Sequence, residues 1–120
     1  MNGKNLLLDT NAVLYILADD GHKIILKENI IYISFITELE LLSYPAINES
    51  EIEILKKFIN RVEVIDINSI IKEKTIELRK KYRLKLPDAI IAASALTNNF
   101  IFVTNDIKLL KIKEIDTLSI

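Results

Sequence analysis

The chain has 120 residues, half of them hydrophobic and 28% charged, with a formal net charge of -1. That length suits one compact core, and the charge balance supplies no global basic field, so nucleic acid or an anionic membrane would have to be met by a local patch. Cysteine is absent, which excludes disulfides, thiolate metal sites and a cysteine nucleophile, while no apolar run approaches the roughly 18 residues of a membrane span and no signal-peptide core follows Lys4, so the expectation is a cytoplasmic protein without membrane contact.

Taken in order, Asn5 to Leu8 is a short apolar run of the kind found in a doubly covered parallel strand, and Thr10 to Leu17 follows with Val13, Leu14 and Leu17 at helical spacing. A polar break at Asp19, Asp20 and Gly21 precedes a brief Ile24-Ile25-Leu26 stretch, after which Ile30 to Ser34 reads as a second buried strand. Phe35 to Tyr44 predicts a helix stopped by Pro45. Asn48 or Ser50 is suited to cap the next helix, whose inner face is Ile52, Leu55, Phe58 and Ile59. Val62 to Ile65 predicts a third strand, and Asn68 caps a long amphipathic helix reaching about Tyr82. Pro87 opens a helix carrying Ala89, Ala92, Ala93 and Ala95, small residues that permit close packing. Phe100 to Val103 is a fourth strand, Asp106 caps a short helix, and Glu114 to Leu118 is an edge-strand candidate. The alternation predicts one α/β domain over residues 1–120, with a central, mostly parallel sheet of four to five strands covered on both faces.

In an open parallel sheet, chemistry gathers beyond the carboxyl ends of the strands. Asp9 and Asp106 fall just past two such ends, Asp88 starts the alanine-rich helix, and Glu38 and Glu40 lie in the first turns after the second strand. Each acid has a structural alternative: Asp106 as an N-cap, Asp88 as a charge favoured at a helix N-terminus, and Thr37 with Glu40 as a capping box. Gathered at one crevice they are costly, since two like charges about 4 Å apart repel by roughly 4 kcal/mol at an effective dielectric near 20. An all-oxygen set without histidine or cysteine selects a hard ion, Mg2+ or Mn2+, which points to phosphoryl chemistry. Gly3 and Gly21 are the only glycines, so a glycine-rich phosphate loop is excluded.

The segments Leu8-Asp9-Thr10-Asn11, Ser34-Phe35-Ile36-Thr37-Glu38-Leu39-Glu40-Leu41, Leu86-Pro87-Asp88-Ala89-Ile90-Ile91-Ala92-Ala93-Ser94-Ala95 and Val103-Thr104-Asn105-Asp106 resemble, in this order, the signatures of the PIN domain, and in particular of stand-alone VapC-type toxins. The resemblance spans residue 6 to about 110. It implies a Rossmann-like α/β/α sandwich, divalent-metal-dependent endoribonuclease activity with Mg2+ or Mn2+, and a VapB-type antitoxin partner. It also implies that Asp9, Glu40, Asp88 and Asp106 form the acidic quartet that binds metal and acts on RNA, supported by Asn11 and Thr104. Periodicity does not separate Glu38 from Glu40; the choice of Glu40 rests on the resemblance. Two positions depart from it: Asn105 stands where many relatives carry a basic residue, and Arg83 where a glycine is common.

Arg79-Lys80-Lys81-Tyr82-Arg83-Leu84-Lys85 places five basic residues within seven. Lys80, Lys81, Arg83 and Lys85 are candidates for holding an RNA backbone, with Tyr82 to stack on a base; the alternative is a cationic helix end complementing its dipole. His22, the only histidine, reads as a solvated loop residue. Tyr15, Ile16, Leu17 and the helix from Ile52 to Ile59 offer apolar surface for a homodimer or an antitoxin helix, or else belong to the core. Three other classes remain beside the toxin: a nuclease of the same fold in RNA processing, a phospho-accepting receiver domain, and an inert interaction module. Against the receiver, Asp66 is followed at once by helix and no lysine ends a late strand.

Overall fold

A computed structural model describes residues 3–120. Five strands, β1 (Asn5–Leu8), β2 (Ile30–Ser34), β3 (Glu63–Ile65), β4 (Ile101–Val103) and β5 (Thr117–Leu118), alternate with helices α1 (Thr10–Ala18), α2 (Ile24–Glu28), α3 (Phe35–Leu42), α4 (Glu49–Arg61), α5 (Ser69–Tyr82), α6 (Leu86–Asn98) and α7 (Ile107–Leu110). The sheet order is β3-β2-β1-β4-β5, and every pairing is parallel, which makes the expected mostly parallel sheet a wholly parallel one. Among the described residues, no helix is long and apolar enough to cross a membrane.

Alternation along β1 divides the core. Leu6 and Leu8 face one side with Val13, Ile16, Ile33, Leu41, Leu55 and Phe58, whereas Leu7 faces the other with Ile71, Leu78, Ala92, Phe102 and Ile112. The three leucines are fully buried, and a buried leucine contributes about 1.5–3 kcal/mol relative to exposure. The end of β1 is therefore a fixed point, in register with Ile33 on one side and Val103 on the other.

Several helix ends are set by local chemistry visible in the sequence. Asn48 caps α4 and forms a full capping box with Glu51, and Asn68 caps α5 by accepting from the Ile71 N–H. The Thr37–Glu40 capping box does not form, because Ser34 is the cap of α3, accepting from the Ile36 N–H at 3.1 Å. The same helix stops at Leu42, earlier than Pro45 alone requires: Ser43 Oγ donates to the Leu39 carbonyl at 2.6 Å and closes the last turn. Ile24-Ile25-Leu26 belongs to a single-turn helix, α2, and the edge strand is confined to Thr117–Leu118. Arg83 ends α5 with φ 55°, the left-handed conformation that glycine adopts without cost, which explains in physical terms the glycine common there in the family it resembles.

Candidate active site

The chain builds β1, β2 and β3 to one side of the sheet and then crosses beyond β1 to lay down β4. The reversal leaves a crevice outside the carboxyl ends of β1 and β4, and Asp9 and Asp106 stand at those two ends. An open pocket of about 340 Å³ is lined there by Asp9, Thr10, Asn11, Glu40, Asp88 and Asp106, with Ser43, Tyr44 and Pro45 at its rim. All four acids singled out in the sequence are thus gathered at one opening, from α1, α3, α6 and the start of α7. Glu38 does not line it.

Asp9 is the most constrained member, only 7% exposed. As N-cap of α1 its Oδ1 accepts from the Ala12 N–H at 2.7 Å, and its Oδ2 accepts from Thr104 Oγ1 at 2.5 Å. The same Thr104 oxygen accepts from the Asp106 N–H at 3.1 Å, so one buried hydroxyl links the ends of β1 and β4. Asp106 in turn caps α7, accepting from the Lys108 N–H at 2.8 Å. Capping and site membership are therefore not competing descriptions of Asp9 and Asp106; the cap fixes the carboxylate where the pocket needs it.

Glu40 is placed differently, by a side-chain contact across helices: Thr10 Oγ1 donates to Glu40 Oε1 at 2.6 Å, and the Thr10 and Thr37 hydroxyl oxygens lie 3.1 Å apart. Thr10 was not singled out in the sequence, although it sits beside Asp9 in the first motif. Asn11 lines the pocket, and its side chain makes no hydrogen bond to the acids. Asn105 is occupied elsewhere, its Oδ1 accepting from Ser119 Oγ at 2.8 Å and from the Ile120 N–H at 2.9 Å.

The electrostatics carry the mark of crowding. Burial is the main cause that raises the Asp9 carboxyl above its ordinary value, opposed by the bonds from Thr104 and Ala12 and reinforced by the charges of Asp106 and Glu40. Asp88 is raised too, first by burial and then by Asp106, Glu40 and Asp9, with Lys85 opposing. Among the described residues, no three His, Cys, Asp or Glu side chains are drawn close enough to enclose a metal ion as they stand; the acids ring the pocket.

Beside the site, the basic segment divides. Lys81 Nζ lies 3.2 Å from Glu114 Oε2, and the Tyr82 hydroxyl donates to Glu114 Oε1. Arg79, Lys80 and Arg83 instead line a groove of about 460 Å³ with Leu84 and Leu86. Lys85 is close enough for its charge to act on Asp88. His22 pairs with Asp19 at 2.9 Å, half-buried in its turn and away from the pocket.

A wholly parallel α/β/α sandwich with acids gathered at its topological switch belongs to the class of open α/β folds whose ligand crevice lies beyond the carboxyl ends of the strands. The PIN domain model matches residues 6–115, and the chain belongs to that family, a family of nucleases. Among solved structures, it is similar to VapBC2 from Rickettsia felis bound to a promoter DNA fragment, at 29% identity, TM-score 0.84, with 97% of this chain and 98% of that chain covered. It is also similar to a toxin-antitoxin complex from Klebsiella pneumoniae, at 28% identity, TM-score 0.77, with 96% and 99% covered. VapBC-1 from nontypeable Haemophilus influenzae shares the fold at 22% identity, TM-score 0.81, with 96% and 97% covered. No curated protein matches the chain significantly.

Proposed function

We propose that this protein is a divalent-metal-dependent endoribonuclease, the toxin member of a VapBC-type pair. The observation that supports it most is the convergence of Asp9, Glu40, Asp88 and Asp106 from four separate segments on one pocket, with Asp9 and Asp88 both raised partly by their neighbours' charge. Mutual repulsion of this kind is relieved by a cation, and an all-oxygen donor set suits Mg2+ or Mn2+.

Asp9, Asp88 and Asp106 are the residues that would hold the ion, and Glu40 would hold a second ion or orient the attacking water. When bound, the ion lowers the pKa of water and neutralises charge building on the phosphate. The remaining work falls to the chain itself. Thr104 keeps Asp9 oriented through its 2.5 Å bond, and burial of Asp9 keeps bulk water from that side of the pocket. Lys80, Arg83 and Lys85 supply a local cationic track for an RNA backbone beside Asp88, in a protein of formal net charge -1; Lys81, paired with Glu114, contributes less. Two neighbours above 25% identity are toxin–antitoxin complexes, which supports an antitoxin partner, cytoplasmic residence and a toxin role over a role in RNA processing; a homodimer is expected in solution.

The test is incubation of the purified protein with structured RNAs in Mg2+, in Mn2+ and in EDTA, with products resolved by size. Endonucleolytic fragments in either metal and none in EDTA are expected; cleavage that survives chelation, or no cleavage in any condition, rejects the reading. A small adjoining reading frame whose product co-purifies and suppresses cleavage distinguishes the toxin from a processing nuclease, and light scattering measures the oligomeric state.

A further inference from the structure

Glu40 owes its position to neither a strand end nor a helix cap, and unlike Asp88, which also caps nothing, it accepts a side-chain hydrogen bond. It lies on the second turn of an eight-residue helix and is exposed, where a glutamate ordinarily samples several rotamers. Its one hydrogen bond among the described residues comes from Thr10 Oγ1, at 2.6 Å, a distance typical of a hydroxyl donating to a carboxylate. Behind Thr10 stands Thr37, fully buried, with its Oγ1 3.1 Å from Thr10 Oγ1. The direction of the two bonds follows from proton counting. An ionised carboxylate only accepts, so the single proton of Thr10 is given to Glu40, and the proton of Thr37 is given to Thr10.

We infer that Thr10 is a positioning residue for the reaction: with Thr37 behind it, it forms a two-hydroxyl relay that tethers Glu40 to the start of α1 and aims its free oxygen at the pocket. Because Thr10 follows Asp9 directly, the relay also fixes Glu40 relative to the carboxylate that is held most rigidly. A catalytic group held within a fraction of an ångström of its working position contributes much of its effect through that placement. Thr37, read in the sequence as one half of a capping box, acquires a different role here, since Ser34 caps the helix instead.

This inference rests on the ribonuclease reading and is tested so that the two fail separately. Thr10→Val removes the hydroxyl and keeps the shape. On the metal-activated RNA cleavage of the full chain, it is expected to lower kcat about ten- to a hundredfold, the size of one lost bond to a charged group, with KM for RNA within about twofold. Thr10→Ser restores the rate. In a Glu40→Gln background, Thr10→Val adds little further loss, because Thr10 acts through the carboxylate that the first change has already removed. Full activity of Thr10→Val, failure of serine to rescue, or a full independent loss on top of Glu40→Gln overturns the role. A second readout needs no activity: with 13C-labelled glutamate, the Glu40 carboxyl resonance, assigned by its absence in Glu40→Gln, is expected to move in Thr10→Val and return in Thr10→Ser. Should the wild type cleave no RNA, the nuclease reading fails, while an unmoved resonance would still overturn the relay and a moved one would still support it.

Discussion

The two ends of the sheet are electrostatic opposites. At the carboxyl end, Asp9, Glu40, Asp88 and Asp106 surround a pocket of about 340 Å³. At the amino end, where β2 and β3 begin, a wider groove of about 740 Å³ has an apolar floor that includes Leu26, Ile30, Phe58 and Val62, and a rim bearing Lys23, Lys27, Lys57 and Arg61. A net charge of -1 therefore conceals strong local fields of both signs on one small body. The difference also shows in how the charges are held: on the basic rim Lys23 pairs, among the described residues, only with the exposed Asp20 one turn away, whereas two of the acids are pinned by helix caps and a buried threonine. A surface ion pair specifies little; the acids are held against their own repulsion.

The contrast is broken most severely by neutralising the pinned acids. Asp9→Asn or Asp106→Asn is expected to reduce RNA cleavage by roughly three orders of magnitude or more, the scale for removing a group that stabilises a developing charge; steady-state cleavage assays check it. Thr104→Val leaves every acid in place but removes the hydroxyl joining Asp9 to the end of β4. Its expected cost is about 10- to 100-fold in activity or metal affinity, and about 1–3 kcal/mol of stability from an unsatisfied buried carboxylate, measured by metal titration and by denaturant unfolding.

A smaller effect is expected at the cationic track. Lys85→Glu or Arg83→Glu is predicted to raise KM for RNA severalfold and to flatten its dependence on salt by about one counterion per charge removed, read from titrations at several ionic strengths. The mirror-image change at the opposite end, Lys57→Glu with Arg61→Glu, leaves kcat and KM unaltered; an equal rise in KM there would mean that RNA is gathered by overall charge and not by the track.

The smallest effect carries a sign that identifies the mechanism. Asp88 is raised in the folded protein by burial and by three neighbouring acids, so the metal-free native state binds a proton more tightly there than the unfolded chain does. Its contribution consequently favours folding at low pH and is lost as pH climbs from the unfolded value, near 3.9, through the raised folded value. Asp88→Asn is expected to raise the melting temperature of the metal-free protein at neutral pH, and the gain vanishes in acid, where wild-type Asp88 is already protonated. Melting curves across pH check it; a loss of stability at neutral pH would show that Asp88 is a structural residue.

Sequence by itself determined the parts whose causes are local. The β1 leucines, the caps Asn48 and Asn68, the alanine face of α6 and the placement of Asp9, Asp88 and Asp106 at the ends of elements are governed by periodicity, capping and short-range sterics, and each is found close to where those rules put it. Tertiary structure alone decided what depends on elements meeting. Glu38 and Glu40 are equivalent to any helical period, and only the approach of α1 to α3 presents a hydroxyl to one of them. Lys81 and Tyr82 read as free in the sequence, and only the return of the chain at Glu114 occupies them. Thr104 and Asp9 are 95 residues apart, and their bond exists because β4 crosses the sheet to lie beside β1. Local preferences act over a few residues and so are written in the sequence; hydrogen bonds between distant side chains are consequences of packing, and appear only once the sheet order is set.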